Sequence, residues 1–247
     1  MAGLVLRSDE AGVAVLSLNR PDVLNALSPK LFEELRAHVD RLAGETGSVG
    51  CVVLRGAGRS FSAGNDLNAI RAGERAQSPH FQAETLDALE GLPQPVIASV
   101  QGHCYTGALE LVLACDLLLV AESAKLADTH GKWGMTPTWG MSQRLPRRIG
   151  ELRAKQVMFS GRAVTGREAV ALGLANECVP DAELEARTLA LAREIAANSW
   201  FTLRTEKSLM RGGAGLPPAQ ALAYERTHSP GAGPDMAERL KSFGAKK

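Results

Sequence analysis

The chain has 247 residues, of which 45% are hydrophobic and 22% are charged, and its formal net charge is +1. This length and balance indicate one large globular domain with a full core. The near-neutral charge argues against a nucleic-acid or acidic-lipid partner, and no apolar run is long enough to span a bilayer.

Predicted strands and helices alternate in the first half of the chain. Ser28 and Pro29 match the N-cap and first position of a helix. Apolar or alternating runs predict strands at residues 4–6, 13–18, 49–54 and 96–100, and further helices are expected near 66–73 and 81–89. The first two strands form a predicted hairpin.

Helices dominate the second half. Predicted strands cover residues 117–120, 125–128 and 176–179, and predicted helices cover 141–149, 151–159, 165–173, 184–197, 199–210, 217–227 and 234–243. Strand-strand-helix units followed by helices predict an α/β fold. No long linker divides the chain, so we expect one domain with a core at 1–195 and a C-terminal helical region at 196–247.

The stretch 95–116 contains a buried strand, a glycine turn and a buried helix with one carboxylate, Glu110. Gly107 begins this helix, where a free N–H and the helix dipole favour negative charge. Glu110 lies one turn further along on the same face. The segment therefore offers an anion-stabilising donor beside a general base. Alternatively, Glu110 only caps or pairs within the core.

A second loop, Ser60 to Leu67, also follows an apolar run and precedes a helix. Two such loops can direct two N–H groups at one oxyanion. The pattern Phe61-Ser-Ala-Gly-x-Asp-Leu67 resembles the first oxyanion-hole loop of the crotonase superfamily, also called the enoyl-CoA hydratase/isomerase family. Residues 102–116 resemble its second loop, residues 18–28 its CoA-side segment, and residues 134–145 its next active-site loop.

The resemblance covers nearly the whole chain and implies a spiral of ββα units with a C-terminal helical region. It assigns the oxyanion hole to the N–H groups of Asn65 and Gly107, and it makes Glu110 the first catalytic glutamate, which orients or deprotonates water. Asn65 can also be read as a turn residue. Contacts to the acyl-CoA substrate are implied for Leu24, Ala26, Ala63, Asp66, Leu67 and Asn68. Many hydratases carry lysine in place of Asn68.

The family's second catalytic glutamate is missing, because no Glu occurs between Glu122 and Glu151. Counting back from Ser142-Gln-Arg-Leu145 places His130 at that position. An imidazole can donate a proton near neutral pH, so His130 is the predicted acid, and a structural histidine is the alternative. Asp128 is another possible acid, although we favour its pairing with a loop N–H.

Trp133 and Trp139 flank the loop expected to line the acyl pocket, where they either shape a hydrophobic site or pack in the core. The leading prediction is hydration of a 2-enoyl-CoA. Double-bond isomerisation, decarboxylation or another lyase reaction, and a weakly catalytic acyl-CoA-binding protein stay open. The family resemblance and the C-terminal tail also predict a homotrimer or a dimer of trimers.

No cluster has metal-ligand spacing, and we expect no metal or cofactor besides the coenzyme A of the substrate. The cysteines have no Cys-x-x-Cys spacing, and most lie in apolar runs or the glycine loop, which indicates reduced thiols. The N-terminus does not resemble a signal peptide. We therefore expect a cytoplasmic protein. The four cysteines are Cys51, Cys104, Cys115 and Cys178.

Overall fold

The computed structural model describes residues 3–244, so the outermost residues of the two predicted regions, 1–2 and 245–247, lie outside the described residues. The strands are β1 (Val5–Glu10), β2 (Val13–Leu18), β3 (Cys51–Gly56), β4 (Val96–Val100), β5 (His103–Tyr105), β6 (Leu117–Ala121), β7 (Lys125–Ala127), β8 (Val164–Thr165) and β9 (Glu177–Val179). The α-helices are α1 (Pro29–Gly44), α2 (Leu67–Arg71), α3 (Phe81–Glu90), α4 (Gly107–Leu113), α5 (Met141–Ile149), α6 (Glu151–Ser160), α7 (Gly166–Ala171), α8 (Leu184–Ala196), α9 (Trp200–Gly213), α10 (Pro218–His228) and α11 (Met236–Gly244).

The strands form two sheets, with the order β1-β2-β3-β4-β6-β9 in the larger and β5-β7-β8 in the smaller. Strands β1 and β2 are the predicted antiparallel hairpin, and the rest of the larger sheet is parallel. In the consecutive pairs β4–β5 and β6–β7, the first strand lies in the larger sheet and the second in the smaller sheet, and a helix follows each pair. This repetition confirms the predicted α/β architecture of ββα units.

The central strand β3 is buried on both faces, as expected for a parallel sheet covered on each side. Its side chains alternate between two cores. Val52 and Leu54 join the larger core, whereas Val53 joins a smaller core beneath α8. Both faces of the sheet are therefore packed against other elements, and the loops that follow its strands start from this packed frame.

The predicted capping signals are confirmed. The Ser28 hydroxyl accepts a hydrogen bond from the N–H of Leu31 at 3.3 Å, and Pro29 occupies the first position of α1. The three-residue strand β5 was not predicted, because glycines flank it and it is too short to show a period. Its pairing with β7 places it in the smaller sheet.

The C-terminal helices α9 to α11 meet the core through a few specific contacts. The buried Lys207 ammonium donates to the Asp116 carboxylate at 2.6 Å and to the Gln94 carbonyl at 3.0 Å. The outer helices leave apolar side chains exposed, among them Leu222 and Leu240. Among residues 3–244, no helix has the length and apolar content needed to cross a membrane.

Candidate active site

Two loops, each following a strand of the larger sheet, lie against each other. Ser62 and Cys104 form a one-residue parallel bridge that joins them. Gly64 has φ +93°, and a Cβ there would lie 2.3 Å from the Tyr105 carbonyl oxygen and 3.6 Å from the Gly107 nitrogen. Only glycine fits this approach. The positive φ therefore belongs to Gly64, while Asn65 is not a left-handed turn residue.

Two backbone N–H groups beside this contact have no partner within the described residues, those of Asn65 and Gly107. The neighbours of Asn65 are bonded instead, since Leu27 donates to the Gly64 carbonyl and Asp66 donates to the Leu27 carbonyl. Gly107 is the first residue of α4, where an N–H has no helical acceptor. Both residues line one cavity of about 320 Å³.

Glu110 lies one turn into α4 and is 1% exposed. Its Oε1 accepts hydrogen bonds from the N–H groups of Trp139 at 2.9 Å and Met141 at 3.0 Å. Burial raises the pKa of Glu110. Its effect is larger than the opposite effect of the Met141 N–H and the His130 ring, which stabilise the charged carboxylate and lower the pKa. The residue thus caps α5 with one oxygen and keeps the other, Oε2, on the cavity side.

His130 faces Glu110 across the cavity, with its Nε2 3.8 Å from Glu110 Oε2. The opposite ring nitrogen, Nδ1, lies 2.6 Å from Asp128 Oδ1, which also accepts from the His130 backbone N–H at 3.0 Å. Burial opposes the charged ring, but the hydrogen bond and the charges of Asp128 and Glu110 outweigh it and raise the pKa of His130. Asp128 therefore pairs with a loop N–H, as predicted, and also orients the ring.

Thr106 precedes the first residue of α4 with φ +53° and ψ −109°. Such a conformation usually requires glycine and costs about 1–3 kcal/mol for another residue. Four hydrogen bonds hold it there, one of them from the Glu110 N–H to the Thr106 carbonyl at 3.0 Å. Thr106 N donates to the Ala127 carbonyl at 2.7 Å, Thr129 N donates to Thr106 Oγ1 at 3.2 Å, and the two threonine hydroxyls bond each other.

The Trp139 ring covers Gly107 and is mostly buried. It packs edge-on against Phe32 with ring centroids 5.0 Å apart, and a Cβ at Gly107 would lie 2.3 Å from it. Trp139 lines both the 320 Å³ cavity and a neighbouring one of about 560 Å³. Trp133, by contrast, is 60% exposed and does not line the 320 Å³ cavity.

The predicted CoA-side segment lies beside the first loop. Ala63 N donates to the Leu24 carbonyl at 2.8 Å, and Arg20 Nη1 contacts both the Ala26 carbonyl at 2.5 Å and the Asp66 carboxylate at 2.8 Å. Burial disfavours the charged form of Asp66. The hydrogen bonds from Arg20 and from the first N–H groups of α2 have the larger combined effect, so the pKa of Asp66 is lowered. Asp66 is therefore the N-cap of α2.

Leu67 and Asn68 follow this cap and are exposed. Within residues 3–244, no group of three or more His, Cys, Asp or Glu side chains could hold a metal ion. All four cysteines are free thiols, three of them buried.

The sequence model described as "Enoyl-CoA hydratase/isomerase" matches residues 8–236. The chain belongs to this family. A solved enoyl-CoA hydratase from Bacillus anthracis superposes with a TM-score of 0.92 and 35% identity, with 99% of this chain and 97% of that chain covered. The family resemblance and the fold class that it implied are thereby confirmed.

Curated relatives in the family show similar identity. A probable peroxisomal enoyl-CoA hydratase of Arabidopsis thaliana is 32% identical, with 90% of this chain and 83% of the relative covered. A short-chain-enoyl-CoA hydratase of Clostridium acetobutylicum is 31% identical, with 90% and 86% covered. The chain is therefore an enzyme of the enoyl-CoA hydratase/isomerase family.

Sequence reasoning brought Asn65, Gly107, Glu110 and His130 to one cavity, but it missed two features of this family member. Asp128 was not recognised as the partner of the His130 ring, although its position two residues before a histidine was an available signal. The strained Thr106 was missed altogether, because a threonine between tyrosine and glycine carries no mark of a positive φ.

Proposed function

We propose that the protein is an enoyl-CoA hydratase that adds water across the double bond of a 2-enoyl thioester. The observation that carries this proposal is the pairing of a buried carboxylate with an imidazole, 3.8 Å apart, in one cavity with two unpaired N–H groups. A carboxylate and a protonated imidazole supply the base and the acid that addition of water requires.

In the proposed reaction, the thioester oxygen accepts hydrogen bonds from the N–H groups of Asn65 and Gly107. Glu110 Oε2 accepts a proton from water as the water oxygen bonds to Cβ, and the carbonyl oxygen gains negative charge. The Nε2–H of His130 then protonates Cα, which restores the carbonyl. Transfer of the proton on Glu110 to His130 resets the site. Asp128 accepts the Nδ1–H and keeps Nε2 toward the substrate.

The proposed acyl-CoA path follows connected cavities. The 560 Å³ cavity shares Asn65 and Trp139 with the catalytic cavity, and it shares Pro29 and Arg75 with a third cavity that also contains Lys30. Asp66 and Trp139 line this route, which supports their predicted contacts with the substrate. The contacts predicted from the sequence for the other residues, which do not line these three cavities, stay predictions: Leu24, Ala26, Ala63, Leu67, Asn68 and Trp133.

The direct test is absorbance. Hydration of crotonyl-CoA should remove the conjugated enoyl band, and Glu110→Gln should stop this loss. Appearance of that band from a 3-enoyl-CoA, with crotonyl-CoA unchanged, would instead identify an isomerase. Carbon dioxide release from a malonyl-type thioester would identify a decarboxylase, and tight acyl-CoA binding without turnover would identify a binding protein.

We further propose a homotrimer or a dimer of trimers in the cytoplasm. Exposed apolar side chains on the outer helices support assembly, since Met210 is 71% exposed and Leu240 is 62% exposed. Sedimentation of the protein as a monomer at micromolar concentration would contradict the proposal.

A further inference from the structure

We infer that Thr106 is a positioning residue that fixes the direction of the Gly107 N–H, and that Thr129 holds it in place. The inference rests on the proposed function, because it takes the Gly107 N–H as a donor to the thioester oxygen. We call the hydrogen bonds between these two threonines the Thr106–Thr129 link.

The backbone explains why Thr106 controls this donor. The Gly107 N–H lies in the planar peptide group that begins at the Cα of Thr106. Rotation about ψ of Thr106 turns that plane, so the value of −109° sets where the N–H points. The N–H itself has no acceptor within the described residues that would fix it. The carbonyl of the same plane, that of Thr106, accepts from the Glu110 N–H at 3.0 Å. The direction of the Gly107 N–H is therefore held by this first helical bond of α4 and by the conformation of Thr106.

The Thr106–Thr129 link supplies the side-chain part of this restraint. Thr106 Oγ1 accepts from Thr129 N at 3.2 Å and bonds the Thr129 hydroxyl. Thr106 is mostly buried, so these bonds are shielded from competing water. The N–H of Thr106 is held separately by the Ala127 carbonyl. Together these contacts stabilise a conformation that threonine otherwise avoids.

The link also connects both halves of the site. Thr129 lies between Asp128, which orients the imidazole, and His130 itself. The segment that places the proton donor thus also braces the oxyanion donor. Oxyanion donors act through preorganisation, because they cost no reorientation when charge develops. We therefore expect the loss of the link to weaken polarisation of the carbonyl more than it weakens binding.

The test uses 4-(dimethylamino)cinnamoyl-CoA, whose absorbance moves to longer wavelength when its thioester carbonyl is polarised. Thr106→Val keeps the branched shape but removes Oγ1, while Thr106→Ser keeps the hydroxyl. Thr129→Val removes one hydroxyl and leaves its N–H. Thr205→Val is the matched control, because it removes one hydroxyl bond, to the Phe201 carbonyl at 2.8 Å, in the distant helix α9.

We expect Thr106→Val to reduce the red shift of the bound probe and to lower kcat for crotonyl-CoA roughly 10-fold or more, with a smaller change in KM. Thr129→Val should have a weaker effect, since Thr129 N still reaches Thr106 Oγ1. Thr106→Ser and Thr205→Val should retain the wild-type red shift. The double valine variant should be less impaired than the product of the two single effects predicts, because both remove one interaction.

A wild-type red shift in folded Thr106→Val would overturn the inference and leave the hydratase proposal intact. The same holds if Thr106→Ser is as impaired as Thr106→Val, since the hydroxyl would then not be the group that matters. A red shift in the wild type without hydration of crotonyl-CoA would refute the hydratase proposal, while the valine variants still decide the inference. Absence of any probe binding or red shift in the wild type would overturn both.

Discussion

The two proposed catalytic groups, the Glu110 carboxylate and the His130 imidazole, are held in different ways. Glu110 lies in the buried helix α4. Its Oε1 accepts hydrogen bonds from two main-chain N–H groups, that of Trp139 in the loop before α5 and that of Met141, the first residue of α5. His130 lies after β7 and is fixed by one side chain, the Asp128 carboxylate. The carboxylate is therefore set by the backbone, whereas the imidazole depends on a single replaceable partner.

This difference shows which half of the site can be tuned by substitution. A main-chain N–H survives almost any change of side chain, so the position of Glu110 is robust. The orientation and pKa of His130 change with the residue at position 128. We expect changes on the Glu110 side to abolish the reaction, and changes on the His130 side to shift its rate and pH dependence.

The largest expected effect is that of Glu110→Gln. The amide oxygen can still accept from the N–H groups of Trp139 and Met141, so the fold should persist. The amide cannot take a proton from water, and kcat for crotonyl-CoA should fall about 10³-fold. Stopped-flow absorbance measures the loss, and circular dichroism verifies folding. Activity within a few-fold of wild type would remove Glu110 from the role of base.

Removal of the imidazole is expected to be the next largest effect. His130→Ala should lower kcat roughly 10²-fold, the range typical of a lost general acid. Full activity of His130→Ala alongside inactive Glu110→Gln would favour a single-base isomerase.

His130→Glu should restore a two-carboxylate site, but only with Asp128→Asn, because Asp128 would otherwise repel the new carboxylate. The double variant should hydrate crotonyl-CoA faster than His130→Ala.

Asp128→Asn should separate orientation from proton donation. The wild-type rate should fall on the acid side as Glu110 becomes protonated, above the ordinary carboxyl pKa, and on the alkaline side as His130 loses its proton, above the ordinary imidazole pKa. Without the Asp128 charge the imidazole loses its proton more easily, so the alkaline limb should move to lower pH. We expect kcat to fall about tenfold at its optimum.

An unchanged alkaline limb in Asp128→Asn would show that Asp128 does not control the imidazole. Asp40→Asn is a suitable control for the charge change, because Asp40 is exposed and pairs with Arg36 along α1 rather than with His130. Its pH profile should match that of the wild type.

The smallest expected effect is that of Trp139→Phe. This change keeps the main-chain N–H that donates to Glu110 and puts a smaller ring between the two cavities that Trp139 lines. Activity on crotonyl-CoA should change by less than about tenfold, while longer 2-enoyl-CoA chains should gain relative to it. The ratio of kcat/KM values across chain lengths measures the change. A loss as large as that of Glu110→Gln would mean that Trp139 holds the carboxylate through its ring.

Much of this molecule can be predicted from short-range signals. The strand Val96–Val100 and the capping residue Ser28 lie where their patterns place them, because burial and capping are local properties. The site is harder to predict. The motif located Glu110, but its pairing with the N–H of Met141 joins residues 31 positions apart. The conformation of Thr106 depends on Thr129, and no local pattern reports such a contact.

The three tryptophans lie in three different surroundings, so changes in their fluorescence emission can be assigned to different parts of the molecule. Trp133 is exposed to solvent, and Trp139 borders the proposed catalytic cavity. Trp200 lies at the joint between the C-terminal helices and the core, where a Cβ at Gly50 would be 2.3 Å from its ring. Single-tryptophan variants would therefore resolve substrate entry from detachment of the outer helices without an added label.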